Sequence, residues 1–224
     1  MPVKSTRLAF EGPSGNIEAM LDSPDGIEPD SSSDLDAVPA VAVVCHPHPQ
    51  FQGTMLNKVV HTLSRSAVDC GIPALRFNYR GVGKSAGVYD EGRGETDDAE
   101  AACDYAFSLF GERPLVLMGF SFGAGVALRL AQRRTSVALI AAAPPVGRLG
   151  VPDTVTFDMP WQIIQGNADE LVDAADVQTW AGAQEPPPEF VMMEGVSHFF
   201  HGNLTSLRHD ARLFLTRSLS LPSD

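Results

Sequence analysis

Cysteine is scarce and poorly placed for cross-linking: Cys45, Cys70 and Cys103 are odd in number, and no two stand in a C-x-x-C spacing. That argues against a disulfide framework or a zinc knuckle, so the thiols are expected to be reduced and mostly buried. Lysine is as rare, with only Lys4, Lys58 and Lys84 among 16 basic residues, against 28 acidic ones. The formal charge of −12 leaves no basic surface for phosphate backbones, so neither nucleic acid nor an anionic membrane is an expected partner. No apolar stretch approaches the ~20 residues that span a bilayer. Met1 to Gly15 also lack the basic-then-apolar order of an export signal. The expectation is a cytoplasmic protein without an internal repeat.

With 224 residues, 44% of them hydrophobic, the chain suits a single domain, 1–224, around one good core. Two short strands, Arg7 to Glu11 and Asn16 to Leu21, flank Gly12-Pro13-Ser14-Gly15 and predict an antiparallel start. Residues 23–36 are acidic and rich in turn formers, which predicts a mobile loop. From Ala40 onward, continuous apolar runs alternate with segments of helical period. The runs are Ala40 to Cys45, Ile72 to Phe77, Pro114 to Met118, Val137 to Ala143, Trp161 to Gln165 and Phe190 to Met193. Helical spacing follows in Leu56–Val59–Val60–Leu63–Ala67, in Ala99–Ala102–Cys103–Ala106–Phe110, near Phe122 to Arg133 and Ala174 to Trp180, and in Leu204–Leu207–Ala211–Leu215. Such alternation predicts an α/β fold, a mostly parallel sheet covered by helices on both faces.

Gly119-Phe120-Ser121-Phe122-Gly123 sits between one of these runs and a small-residue helix. A serine on such a strand-to-helix turn projects its oxygen clear of the sheet, and the residues two before and two after must be almost free of side chain. The pentapeptide alone is a weak signal, and its context carries the weight. Acyl transfer by serine needs a base and a carboxylate to orient it. Asp169, in the turn after Trp161 to Gln165, and His198, after the last strand, both fall where strand C-termini converge. Asp173 is the alternative carboxylate and His201 the alternative imidazole.

The Gly119–Gly123 turn, the Asp169 loop and Ser197-His198-Phe199 together resemble the α/β-hydrolase superfamily. Within it, His46-Pro47-His48-Pro49, the segment Gly53 to Val60, and Asn78-Tyr79-Arg80-Gly81-Val82-Gly83-Lys84-Ser85 are similar to small bacterial hydrolases related to dienelactone hydrolases. The match covers roughly Val41 to Leu215. The resemblance implies an eight-stranded sheet, serine ester hydrolysis, and His198 rather than His201 as base. Dienelactone hydrolases use a cysteine nucleophile where this chain has serine, so their substrate is not carried over.

One oxyanion donor is expected from the backbone amide of Phe122 at the helix start. The second is expected from the loop after Cys45, where Pro47 and Pro49 have no N–H; His48 comes first, with Gln50 or Phe51 behind it. His46 and His48 lack matched downstream ligands, so no metal is expected, and no cofactor is called for. Gly81 to Ser85 imitates a phosphate loop but lacks its first glycine and a following helix, so a turn at the site rim is expected instead. Fewer than twenty residues separate Ala143 from Trp161, too few for a lid. Phe120, Phe122, Val146, Leu149 and Phe199 are the candidate substrate walls. The sequence thus reads as a serine carboxylesterase for small, short-chain acyl esters with a Ser121–Asp169–His198 triad. A thioesterase or acyltransferase on the same residues, or a non-catalytic small-molecule receptor, is the alternative.

Overall fold

The structure is a computed structural model that describes residues 3–29 and 38–222. Strands β1 (Val3–Gly12) and β2 (Gly15–Pro24) form the expected hairpin, longer than the apolar pattern alone suggests. The alternation then runs β3 (Val41–Cys45), α1 (Lys58–Val68), β4 (Ala74–Phe77), α2 (Arg93–Phe110), β5 (Leu115–Phe120) and α3 (Phe122–Ala131). It closes with β6 (Ala138–Ala142), β7 (Trp161–Gly166), α4 (Ala174–Gly182), β8 (Glu189–Met193) and α5 (Leu204–Ser218). Among the described residues, the eight strands join one sheet in the order β1-β2-β4-β3-β5-β6-β7-β8, in which only β2 runs against its neighbours. No helix occupies residues 143–160, so the fold has no lid. None of the described helices is long and apolar enough to cross a membrane.

Strand parity divides the core. Val43, Cys45, Leu117, Leu139 and Ile163 pack against α2, α3 and α4, whereas Ala42, Val44, Met118, Phe120 and Ile140 pack against α1 and α5. Both faces being covered explains why these strands read as unbroken apolar runs rather than alternating ones. The starts of α1 and α2 are chemically marked. Asn57 Oδ1 accepts the Val59 amide at 2.8 Å ahead of α1, and the buried Glu95 carboxylate reaches back to the amides of Gly92 and Asp90 at 2.6 and 2.8 Å at the start of α2.

Three expectations are corrected. Leu56 lies before α1, not in it, and is largely exposed. Ser23 and Pro24 belong to β2, where they pair with Lys4 and Val3, so the acidic loop begins later; its residues 30–36 lie outside the described chain. Gly81 to Ser85 is not at the site rim. It docks on the hairpin instead: the Lys84 amide donates to Glu18 Oε2 (3.1 Å), the Glu18 amide to Ser85 Oγ (3.0 Å), and the Ala86 amide to the Asn16 carbonyl (2.8 Å).

Beneath α1 the hairpin is joined to the sheet by a buried ion pair. Arg76 Nε and Nη2 donate to Asp22 Oδ2 and Oδ1 at 2.7 and 3.0 Å, Arg76 Nη1 donates to the Met55 carbonyl, and the hydroxyls of Ser5 and Ser64 also donate to Asp22. Burial alone would raise the Asp22 carboxyl, but Arg76 and the hydroxyls outweigh it and hold the pKa below the ordinary value. An arginine left there without its counter-charge is costly. Asp22→Ala is therefore expected to lose about 3–5 kcal/mol in urea unfolding, with part recovered when Arg76→Met is added. Because the folded pKa lies below the unfolded one, this stabilisation is complete above about pH 4 and is lost as the pH falls. The acid limb of the stability curve should therefore be shallower in the variant.

Candidate functional site

Parallel register sets the strand ends level. Cys45 pairs with Gly119, Phe120 with Ala142, and Gly166 with Met193, so the loops that follow emerge on one edge of the sheet. Ser121 leaves β5 there with φ 54° and ψ −123°, a conformation that L-residues rarely adopt and that costs about 1–3 kcal/mol. The turn is closed by the Ser121 amide donating to the Ala142 carbonyl and the Ala124 amide to the Ser121 carbonyl, both at 2.8 Å. Glycine is required on both sides. A Cβ on Gly119 would stand 2.1 Å from the Gly123 carbonyl oxygen, and one on Gly123 would stand 2.3 Å from that of Cys45.

His198 Nε2 lies 3.1 Å from Ser121 Oγ, and His198 Nδ1 lies 2.8 Å from Asp169 Oδ2. An ionised carboxylate only accepts, so Nδ1 carries the proton and Nε2 is the acceptor for the serine hydroxyl. Another close approach brings the two loops together: a Cβ on Gly166 would meet the Val196 carbonyl at 2.1 Å, and the Ala168 amide donates to that carbonyl at 3.1 Å. Asp169 is fully hydrogen-bonded. Its Oδ1 accepts the Leu171 and Val172 amides at 2.9 and 2.8 Å, and its Oδ2 accepts Gln165 Nε2 at 3.0 Å besides His198. Burial raises its pKa, but the bond to His198 and the two amides outweigh that and keep the carboxyl below its ordinary value. The alternatives are otherwise engaged. Asp173 caps α4 through the Ala175 amide at 2.8 Å, and His201 is exposed, with its ring beside that of Phe199.

The loop after β3 is built on its two histidines. His46 is fully buried, accepts the Tyr79 amide on Nε2 at 3.2 Å and donates from Nδ1 to the Pro47 carbonyl at 2.6 Å. Burial pushes it down to about 3 against the opposing pull of that carbonyl, so it is a neutral strut with no free lone pair for a metal. His48 Nδ1 accepts the Gln50 amide at 3.2 Å, which leaves Nε2 as the donor to Tyr89 Oη at 3.1 Å. The Gln50 amide is thus engaged, and the Phe51 amide donates to the His48 carbonyl at 3.1 Å. Among the described residues, the His48 and Phe122 amides have no acceptor. A Cβ on Gly53 would fall 2.0 Å from the Pro47 carbonyl, so glycine alone lets the loop fold back.

Ser121, His198 and His48 face a cavity of about 350 Å³. Leu149 and Phe199 line it as expected, but Phe120 and Val146 do not. Phe120 shares strand parity with Val116 and Met118 and lies fully buried beneath His198, with ring centroids 5.1 Å apart. Val146 packs against the α3-side core, and Phe122 is buried among His48, Tyr79 and Tyr89. Sequence reading missed Arg148, Leu171 and Val172 in the lining and did not treat Phe51 as a wall. It also missed Gln165 behind Asp169 and Glu170, whose Oε2 accepts the His198 amide at 3.2 Å. A polar Gln165 ending a buried strand was the available signal, because such a group needs a partner. A second depression, beside Trp161, Pro186 and Phe214, opens at the opposite edge of the sheet.

The α/β-hydrolase family model matches residues 25–222. The chain belongs to that family. This hydrolase is similar in structure to an α/β serine hydrolase homologue from Coxiella burnetii, with TM-score 0.86 and 38% identity over 94% of this chain and 97% of the other. It is equally close in sequence, at 38%, to an α/β serine hydrolase without lid from Xanthomonas campestris, with TM-score 0.84 and coverage of 100% and 98%. A Rickettsia prowazekii protein described as uncharacterised is 34% identical over 210 residues, 87% of the hydrolase and 82% of the relative.

The contact between Gly123 and the Cys45 carbonyl supplies a direct check. Gly123→Ala is expected to drive α3 off β3, lowering the melting temperature by several degrees and abolishing hydrolysis. Alanine at Gly182, where a Cβ meets nothing within 4 Å, should leave both unchanged.

Proposed function

We propose that the hydrolase is a serine carboxylesterase acting on small, short-chain acyl esters through an acyl-enzyme. The observation that carries this reading is the continuous hydrogen-bonded chain from Ser121 Oγ through His198 to Asp169, opening into the cavity beside the unengaged His48 and Phe122 amides. Ser121 Oγ attacks the ester carbonyl as His198 Nε2 takes its proton, and Asp169 stabilises the imidazolium that forms. The oxyanion is received by the two backbone donors, each worth roughly 100- to 1,000-fold in rate. His198 returns the proton to the departing alcohol. Water, activated by the same imidazole, then attacks the acyl carbonyl and releases the acid and free Ser121.

Size supports a short acyl group: about 350 Å³ lies at the small end of the 300–1,000 Å³ typical of ligand sites. The absence of a helix over residues 143–160 leaves the mouth open, without a lid to move at a lipid interface. The relatives from Coxiella and Xanthomonas, both described as serine hydrolases, agree with the chemistry.

Turnover of p-nitrophenyl esters from acetate to palmitate should peak at the short chains. Ser121→Ala should lower kcat at least about 10,000-fold; equal rates in both proteins would remove Ser121 as nucleophile. Asp169→Asn, which leaves room for the wrong imidazole tautomer, should cost about 1,000- to 10,000-fold in kcat while KM changes little.

A further inference from the structure

Arg148 is the one residue of the cavity lining that carries a full charge at neutral pH; no aspartate or glutamate lines the cavity. Among the described residues, Arg76, Arg80, Arg93, Arg133, Arg134, Arg208 and Arg217 are paired with carboxylates. Arg148 is held differently. Its Nη2 donates to the backbone carbonyl of Leu171, which fixes the guanidinium across the mouth, between the loop after β6 and the loop after β7, without neutralising it. Beside it stand Phe51, Leu149, Leu171 and Phe199, 80%, 37%, 51% and 39% exposed, large apolar side chains gathered into one rim.

Resting on the hydrolytic reading above, we infer that Arg148 is a specificity residue, selecting esters that pair an apolar body with an anionic group, a carboxylate or its equivalent, on the acyl or the alcohol side. A guanidinium offers several N–H donors in a fixed plane, so the bond to Leu171 leaves others to grip a carboxylate. Arg148 and the rim around it are solvent-exposed, so such a pair is sensitive to salt and its selectivity rests on the fixed geometry of the grip. The apolar rim takes the remainder of the molecule. Dimensions agree: a sphere of the cavity's volume is about 9 Å across, so an acyl carbonyl at Ser121 and a carboxylate a few carbons away fit together.

Two matched ester pairs test the assignment: mono-p-nitrophenyl adipate against p-nitrophenyl hexanoate, and 4-acetoxybenzoate against its methyl ester. The first places the anion on the acyl side and the second on the alcohol side. The readout is the ratio of kcat/KM for the charged ester over its neutral match, in wild type, Arg148→Gln and Arg148→Lys. In at least one pair, Arg148→Gln should lower the ratio about 10- to 100-fold, the scale of a charged hydrogen bond. Arg148→Lys should restore part of it, and added salt should depress the ratio in wild type and Arg148→Lys but not in Arg148→Gln. Equal ratios in all three proteins for both pairs would overturn the assignment, as would a loss shared equally by all four esters, which would make the Leu171 bridge merely structural. If no ester turns over, the hydrolytic reading falls by itself. Calorimetric binding of monophenyl adipate and phenyl hexanoate to Ser121→Ala, with and without Arg148→Gln, then decides. Tighter binding of the anion only where Arg148 is present supports the inference, and indifference to Arg148 ends it.

Discussion

Ser121 can remain at φ 54° only because three stretches of backbone close around it. Gly119 lets the first turn of α3 pass over the end of β5, and Gly123 lets that helix press against the Cys45 carbonyl on β3. The strain is held by neighbours that have nowhere else to go, as the central strands β3, β5 and β6 and the buried residues of α3 are all close to zero exposure. Much else depends on this contact. It raises Ser121 Oγ off the sheet edge, starts α3 there with the Phe122 amide left without an acceptor, and places the loop after β3 beside the same spot.

Around that turn the charges are arranged economically. Asp169 accepts four hydrogen bonds and therefore stays ionised where burial alone would favour its neutral form. His46, with both ring nitrogens engaged, stays neutral and acts as scaffold, which leaves His198 as the imidazole next to serine. An acidic chain thus keeps acids out of its cavity lining and admits one arginine there. The buried Asp22–Arg76 pair serves a different end, tying the hairpin to β4 under α1, away from the reacting groups.

The sequence was legible where a local rule is strict. Continuous apolar runs mark strands covered on both faces, and glycines two before and two after Ser121 mark a turn that tolerates nothing larger. Strand-end logic put Asp169 and His198 on the same edge without reference to any contact. What it could not give was direction. Phe120 looked like a wall because it neighbours Ser121, yet alternation along β5 sends it to the α1–α5 side. The Arg76–Asp22 pair joins residues 54 apart, and Gln165 and Glu170 matter only once the β7 and β8 loops are side by side. Arg148 stands in a loop without periodicity, and only the folding of that loop over the cavity mouth gives it a place in the lining.

The most direct test of the central claim, that backbone geometry and His198 make Ser121 a nucleophile, is covalent labelling with a fluorophosphonate, followed by intact mass and peptide mapping. The account predicts one adduct per chain, located on Ser121, absent from Ser121→Ala and formed far more slowly in a His198→Ala protein. An unlabelled wild-type protein, or an adduct on any other serine, would contradict it.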